Sequence, residues 1–252
     1  MKIIAFTNQK GGVGKTSSVI NCGAGLVNKG KHVLLVDLDP QAHLTLSLGI
    51  KAHELTTTIY EMLKGEADIN AVIIERPEDG LQLLPSSINL AGAELELAGQ
   101  PGREYLLKQG LKKLKSKPDY ILIDCPPSLG IFTINGLAAA DEVYIPLQTE
   151  YLALHGTGQL LQVVEVVKER LNNKLKVTGV IGTMHEGRQR LDKEITEMVK
   201  EHFGDMLFNT LIRRNVSIAE APSYGQDIFT YKPDSPGAED YAALTEEILQ
   251  RS

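Results

Sequence analysis

The sequence predicts an α/β protein: a mostly parallel twisted sheet with helices on both faces. Three observations carry that expectation. Short apolar runs alternate with amphipathic stretches of helical period. Several runs are nearly continuous in valine, isoleucine and leucine, the pattern of strands covered on both faces. The repeated order strand, helix, strand implies right-handed crossovers between parallel neighbours. In chain order the expected strands are 2–7 (KIIAFT), 32–38 (HVLLVDL), 81–85 (LQLLP), 120–124 (YILID), 142–147 (EVYIPL), 176–182 (KVTGVIG) and 207–212 (LFNTLI). The helical stretches are 15–29, 103–116, 156–171 and 190–203. Segment 49–80 is the least regular and is expected to hold short helices at the sheet edge. With no repeat, low-complexity tract or linker, residues 1–252 read as one domain.

Composition narrows the function classes. Charged residues make up 23% and the net charge is −6. Long-range electrostatics therefore disfavour nucleic acid and anionic membranes, and a local basic patch must supply any such binding. Two isolated cysteines, Cys22 and Cys125, give neither a disulfide framework nor a zinc motif. Both read as small buried hydrophobes. The opening MKIIAFTNQKGG is too soon interrupted for a signal peptide, and no apolar run approaches the roughly 20 residues of a membrane span. The expected compartment is the cytoplasm.

The chemistry begins at Asn8–Ser18, NQKGGVGKTSS, between the first strand and the first helix. In a parallel sheet, ligands bind at the carboxyl ends of the strands. Gly11, Gly12 and Gly14 let the backbone N–H groups converge on one anion, and the helix that starts near Lys15 adds its positive end. Lys15 then reaches the β- and γ-phosphates, and the Thr16 hydroxyl can ligate Mg²⁺. Gln9 occupies the position where the usual phosphate-loop pattern has its first glycine. LLVDLDPQ ends a strand with Asp37 and Asp39, and YILID ends another with Asp124. Acids at strand ends beside a phosphate loop are placed to hold Mg²⁺ or orient water. Asp37 either supports the magnesium shell or caps the local turn.

KGGVGKT resembles the deviant Walker A phosphate loop of the ParA/MinD group of P-loop ATPases. The resemblance continues through VLLVDLDPQ, ILIDCPPSLG, TINGLAAADEVYIPLQTEYLALHG and RRNVSIAEAPSYG, and is strongest to the ParA/Soj-type partition ATPases. It implies a P-loop NTPase architecture and a slow, partner-stimulated ATP hydrolase that uses ATP/ADP and Mg²⁺. It also implies that Gly11, Gly12, Val13, Gly14, Lys15, Thr16 and Ser17 hold the phosphates and that Asn215 meets the adenine. Thr16, Asp39 and Asp124 would serve the metal site, with Asp39 also positioning the attacking water. Lys10 would act in trans, reaching the nucleotide of a partner subunit in an ATP-sandwich homodimer; the alternative is contact with its own nucleotide or solvent. CPPSLG (125–130) resembles the switch that senses the γ-phosphate, and Gln41 and residues 149–151 would line the dimer face.

The same resemblance implies a ParB-like activator and non-specific double-stranded DNA of the nucleoid as partners, and no membrane. Arg188, Arg190, Lys193, Arg213 and Arg214 are the candidates for DNA contact. Ser217, Gln226, Asp227, Asp234 and Pro236 depart from the family pattern, which is more basic there. Lys108, Lys112 and Lys115 fall on one face of the expected 103–116 helix, either a solvated face or part of a DNA track. A related positioning ATPase for another cargo, such as a chemoreceptor cluster or a protein body, would share all of this chemistry. A MinD-like membrane role fits poorly with the acidic AEDYAALTEEILQRS.

Overall fold

The computed structural model describes residues 1–149, 157–186 and 190–251, and for 190–196 the backbone alone. Seven strands form one sheet. They are β1 (Lys2–Phe6), β2 (Val33–Asp37), β3 (Ile74–Arg76), β4 (Leu81–Leu84), β5 (Tyr120–Asp124), β6 (Glu142–Gln148) and β7 (Lys176–Thr183), in the order β3-β4-β2-β5-β1-β6-β7. Every pairing is parallel except β3 with β4. The helices in chain order are α1 (Lys15–Asn28), α2 (His43–Ser47), α3 (Ile59–Lys64), α4 (Ile69–Val72), α5 (Leu90–Leu97) and α6 (Leu106–Leu111). They continue with α7 (Ile131–Ala139), α8 (Thr157–Arg170), α9 (Arg190–Phe203), α10 (Val216–Glu220), α11 (Ile228–Tyr231) and α12 (Pro236–Gln250).

Strand alternation explains the two cores. Ile3, Ala5, Leu34, Val36, Ile121, Ile123, Val143 and Ile145 face one side, where α3, α5, α6, α7 and α8 cover them. Ile4, Phe6, Val33, Leu35, Leu122 and Tyr144 face the other, against α1 and α12. Both sides being apolar is why the strand sequences read as continuous runs. Gly25 lets α1 and α12 touch, since a Cβ there would lie 2.2 Å from the Thr245 hydroxyl. Register brings the strand ends level: Phe6 and Asp37 both pair with Asp124. The loop after β1 therefore opens directly beside two acids.

Three sequence expectations are corrected. Residues 207–212 form no strand. Leu207 bridges Val180 at the β7 edge and Phe208 N donates to Val180 O, but the next two N–H groups leave the ladder: Asn209 and Thr210 donate to the Glu247 carboxylate of α12 at 2.9 and 2.7 Å. The 103–116 helix shortens to a 3₁₀ turn at Arg103–Tyr105 followed by α6, ending at Leu111. Asn70 draws the chain away there, accepting from Lys115 N at 2.9 Å and donating to Lys113 O at 3.0 Å. Lys108, Lys112 and Lys115 therefore share no helix face. Finally, 49–80 holds short helices as expected but also the antiparallel β3.

Candidate nucleotide site

The loop between β1 and α1 is held from its two sides. On the α1 side, Gly12 and Gly14 adopt φ of +73° and +84°, which a residue with a Cβ rarely adopts. A Cβ at Gly11 or Gly12 would meet nothing within 4 Å among the described residues. No side chain caps the α1 N-terminus, leaving its first N–H groups to a ligand. On the β6 side, Asn8 donates to Pro146 O at 2.8 Å and accepts from Lys10 N at 3.0 Å, and Thr183 donates to Val13 O at 2.9 Å. The chain after Gln9 also meets α8, because Gln9 donates to Gln159 at 3.2 Å.

The two lysines point to different places. Lys15 is buried, and its Nζ donates to Lys10 O at 3.3 Å. Burial lowers its pKa, and the nearby Asp124, Cys125 and Asp39 pull it back up. Lys10 turns its ammonium outward, to Gln148 Oε1 at 2.8 Å, at an exposed position.

The acids divide in the same way. Thr16 Oγ1 donates to Asp124 Oδ2 at 2.7 Å, while Asp124 Oδ1 is buried with no hydrogen-bond partner among the described residues. Burial above all, then the charge of Asp37, raises the Asp124 pKa to about 8. A hydroxyl beside a buried, half-satisfied carboxylate is a hard-oxygen donor pair that suits Mg²⁺, which takes few protein ligands and completes its octahedron with phosphate and water. Among the described residues no cluster of three or more His, Cys, Asp or Glu side chains forms an all-protein cage. Asp39 is nearly buried; its Oδ1 accepts from Gln41 N at 2.9 Å and its Oδ2 lies 3.7 Å from His43 Nδ1. Asp37 is settled as a structural pin. Its Oδ1 accepts from Asp39 N, and its Oδ2 from Thr45 N and Thr45 Oγ1, at 3.0, 2.9 and 2.7 Å. It has no exposed surface, and burial pushes its pKa up to about 7.

The remaining candidates on described residues have local partners of their own. Asn215 caps α10, accepting from Ser217 N at 2.8 Å, and Ser217 is buried beneath that cap. Asp227 is also buried and caps α11 through Phe229 N and Thr230 N, so it does not stand as surface charge. Arg213 is gripped by Asp240 through its backbone N–H, Nε and Nη2, and by Glu239 at 2.6 Å. Arg214 pairs with Glu186 at 2.8 Å. Arg188, Glu150 and Tyr151 lie outside the described residues, as do the side chains of Arg190 and Lys193. Sequence reading missed Asn8, Gln148 and Thr183. Their signal was positional: the last two end β6, which pairs with the strand that carries the loop, and β7, the next strand out.

A mostly parallel sheet with a glycine loop between an inner strand and the following helix, and with strand-end acids beside it, defines a P-loop nucleotide hydrolase. Residues 1–177 match the family described as AAA domain. The chain is 49% identical to the chromosome-partitioning ATPase Soj of Treponema pallidum (strain Nichols), over 99% of this chain and 98% of that one. It is 48% identical to the sporulation initiation inhibitor protein Soj of Bacillus subtilis (strain 168), over 98% of each. Among solved structures, cobyrinic acid a,c-diamide synthase from Mycobacterium smegmatis, with bound ADP and magnesium, superposes with a TM-score of 0.88. It is 38% identical, covering 99% of this chain and 94% of that one. The chain belongs to the Soj/ParA chromosome-partitioning ATPases of the ParA/MinD family.

Proposed function

We propose that residues 1–252 act as one ATP-gated partition ATPase, binding ATP or ADP with Mg²⁺ and pairing with a second copy around two nucleotides. The ATP-bound dimer binds non-specific double-stranded DNA in the cytoplasm, on the nucleoid. It lets go after hydrolysis, which is slow until a ParB-like protein stimulates it. The observation that carries this reading is the divergence of the two lysines: Lys15 turned into its own loop, Lys10 turned outward.

The geometry supports a role for each of these residues. The loop N–H groups from Gly11 to Ser17 and the end of α1 hold the phosphates. Lys15, already desolvated, neutralises the β- and γ-phosphate charge. Thr16 and Asp124 are the residues that would hold Mg²⁺, which supplies charge neutralisation across the phosphates. Asp39 accepts a proton-side hydrogen bond from the attacking water and orients it. Lys10 adds positive charge across the interface, which makes hydrolysis conditional on pairing. Asn215 edges the adenine.

A diamide synthase reading, suggested by the M. smegmatis relative, gains no support from either cysteine as a glutamine-cleaving nucleophile. Glutamine-dependent amide transfer needs an accessible thiolate. Both cysteines are buried, and burial pushes both thiols up.

The test uses Asp39→Ala with Mg-ATP. Light scattering should show a dimer, and binding to random-sequence duplex DNA should weaken steeply with salt. A monomer under these conditions overturns the sandwich. A dimer that ignores DNA at low salt favours a positioning ATPase with a different platform. The acid partners of Arg213 and Arg214 are the observation that keeps this second reading alive.

A further inference from the structure

We infer that Gln148 is a positioning residue that stows the Lys10 ammonium on its own subunit, so that pairing must first break this latch. The inference rests on the in-trans reading of Lys10.

The sheet delivers Gln148 to this place. Phe6, the last residue of β1, pairs with Tyr144, and β6 continues four residues further to Gln148, alongside the phosphate loop. Its amide is then fully committed. Nε2 donates to Gly12 O at 3.2 Å and to Met184 Sδ at 2.9 Å. An amide nitrogen has two protons, so both are used and Oε1 is left facing the lysine, the one orientation in which it can accept from Nζ. Met184, which fixes one of those protons, sits at φ +55°, a conformation disfavoured for a side chain with a Cβ. A strained residue whose sulfur accepts from the amide indicates a placed contact.

The tether is divided in a way that suits a latch. The Lys10 backbone is fixed by Asn8, whose own amide is anchored on Pro146 O. Lys10 O faces inward to Lys15. Only the Lys10 head is held by Gln148, so releasing it leaves the loop in place. Stowing the head has two consequences. It keeps the ammonium away from the subunit's own phosphates, and it sets a threshold for delivering it to a partner. A charge-assisted hydrogen bond at an exposed position biases such an equilibrium by roughly 3- to 10-fold.

The experiment measures ATP affinity, ATP-dependent dimerisation and basal turnover against protein concentration for four variants: Gln148→Ala, Gln148→Glu, Lys10→Ala and the Lys10→Ala/Gln148→Ala pair. Gln148→Ala should raise turnover and tighten dimerisation by roughly 3- to 10-fold with ATP affinity unchanged. Gln148→Glu, which turns the latch into an ion pair, should lower both, and added salt should restore them. The double variant should match Lys10→Ala. Loss in both Gln148 variants, or weakened ATP binding, overturns the latch and makes Gln148 a brace for Gly12. Unchanged turnover in Gln148→Ala, with Lys10→Ala defective, overturns the latch alone. Normal turnover in Lys10→Ala removes the in-trans reading, and the latch with it.

Discussion

The phosphate loop and the Arg213–Asn215 segment are both rich in polar and basic residues, yet they use their charge in opposite ways. In the loop, Lys15 is buried with its ammonium on the loop backbone, and burial lowers its pKa. At 213–214, each arginine is exposed but already has a carboxylate. Asp240 and Glu239 raise the Arg213 pKa above its ordinary value, and Glu186 occupies Arg214. A cation's exposure therefore says little about its availability. What decides is whether the fold has brought an acid to it.

The largest expected effect breaks the loop side. Lys15→Ala removes the buried ammonium beside the phosphate loop and should weaken ATP binding by on the order of 100-fold or more. Isothermal titration with Mg-ATP reads this directly, and wild-type affinity would refute the phosphate-loop assignment. Lys10→Ala comes next. It should leave ATP affinity within about twofold while turnover falls on the order of 100-fold, because its charge matters in the transition state of a paired complex. Equal losses in affinity and turnover would place Lys10 on its own nucleotide.

The arginine side predicts a smaller, different effect. Arg213→Ala leaves Asp240 nearly buried with one partner, its bond from the 213 N–H, and should lower stability by about 1 kcal/mol, the exposed half of the pair being screened. Chemical denaturation measures this. DNA affinity of the Asp39→Ala dimer should hardly change. A large DNA loss without a stability loss would return Arg213 to the list of phosphate contacts.

The same contrast explains what could be read from the sequence. Six of the seven expected strands appear within a residue or two, and the loop, Thr16, Asp39 and Asp124 converge, because these features are local: periodicity, glycine placement and strand ends. The rest was set by partners distant in the chain. Glu247 took 209–210 out of the sheet, Asn70 ended α6, and Asp240 claimed Arg213 from 27 positions away. Gln148 became visible only when β6 paired beside β1. Asp37 is the instructive middle case, since spacing put it with Asp39, and only Thr45, eight residues on, showed that its Oδ2 is committed inside the fold.

The smallest effect sharpens the comparison most. Glu186 pairs with Arg214 and lies on the chain leading to the Arg188 region, so it subtracts positive charge where the family expectation puts the DNA contact. Glu186→Gln keeps the side chain's size and removes the competing charge. If Arg214 is held back only by this exposed pair, the released guanidinium should gain one phosphate contact. In that case DNA affinity rises severalfold at low salt, and the slope of log affinity against log salt steepens by about 0.9, the increment for one additional neutralised phosphate. Higher affinity with an unchanged slope would mean that relief of general repulsion, not a new contact, was the gain. No change in either would mean that Arg214 faces away from DNA, and that the platform for this ATPase is met by another surface.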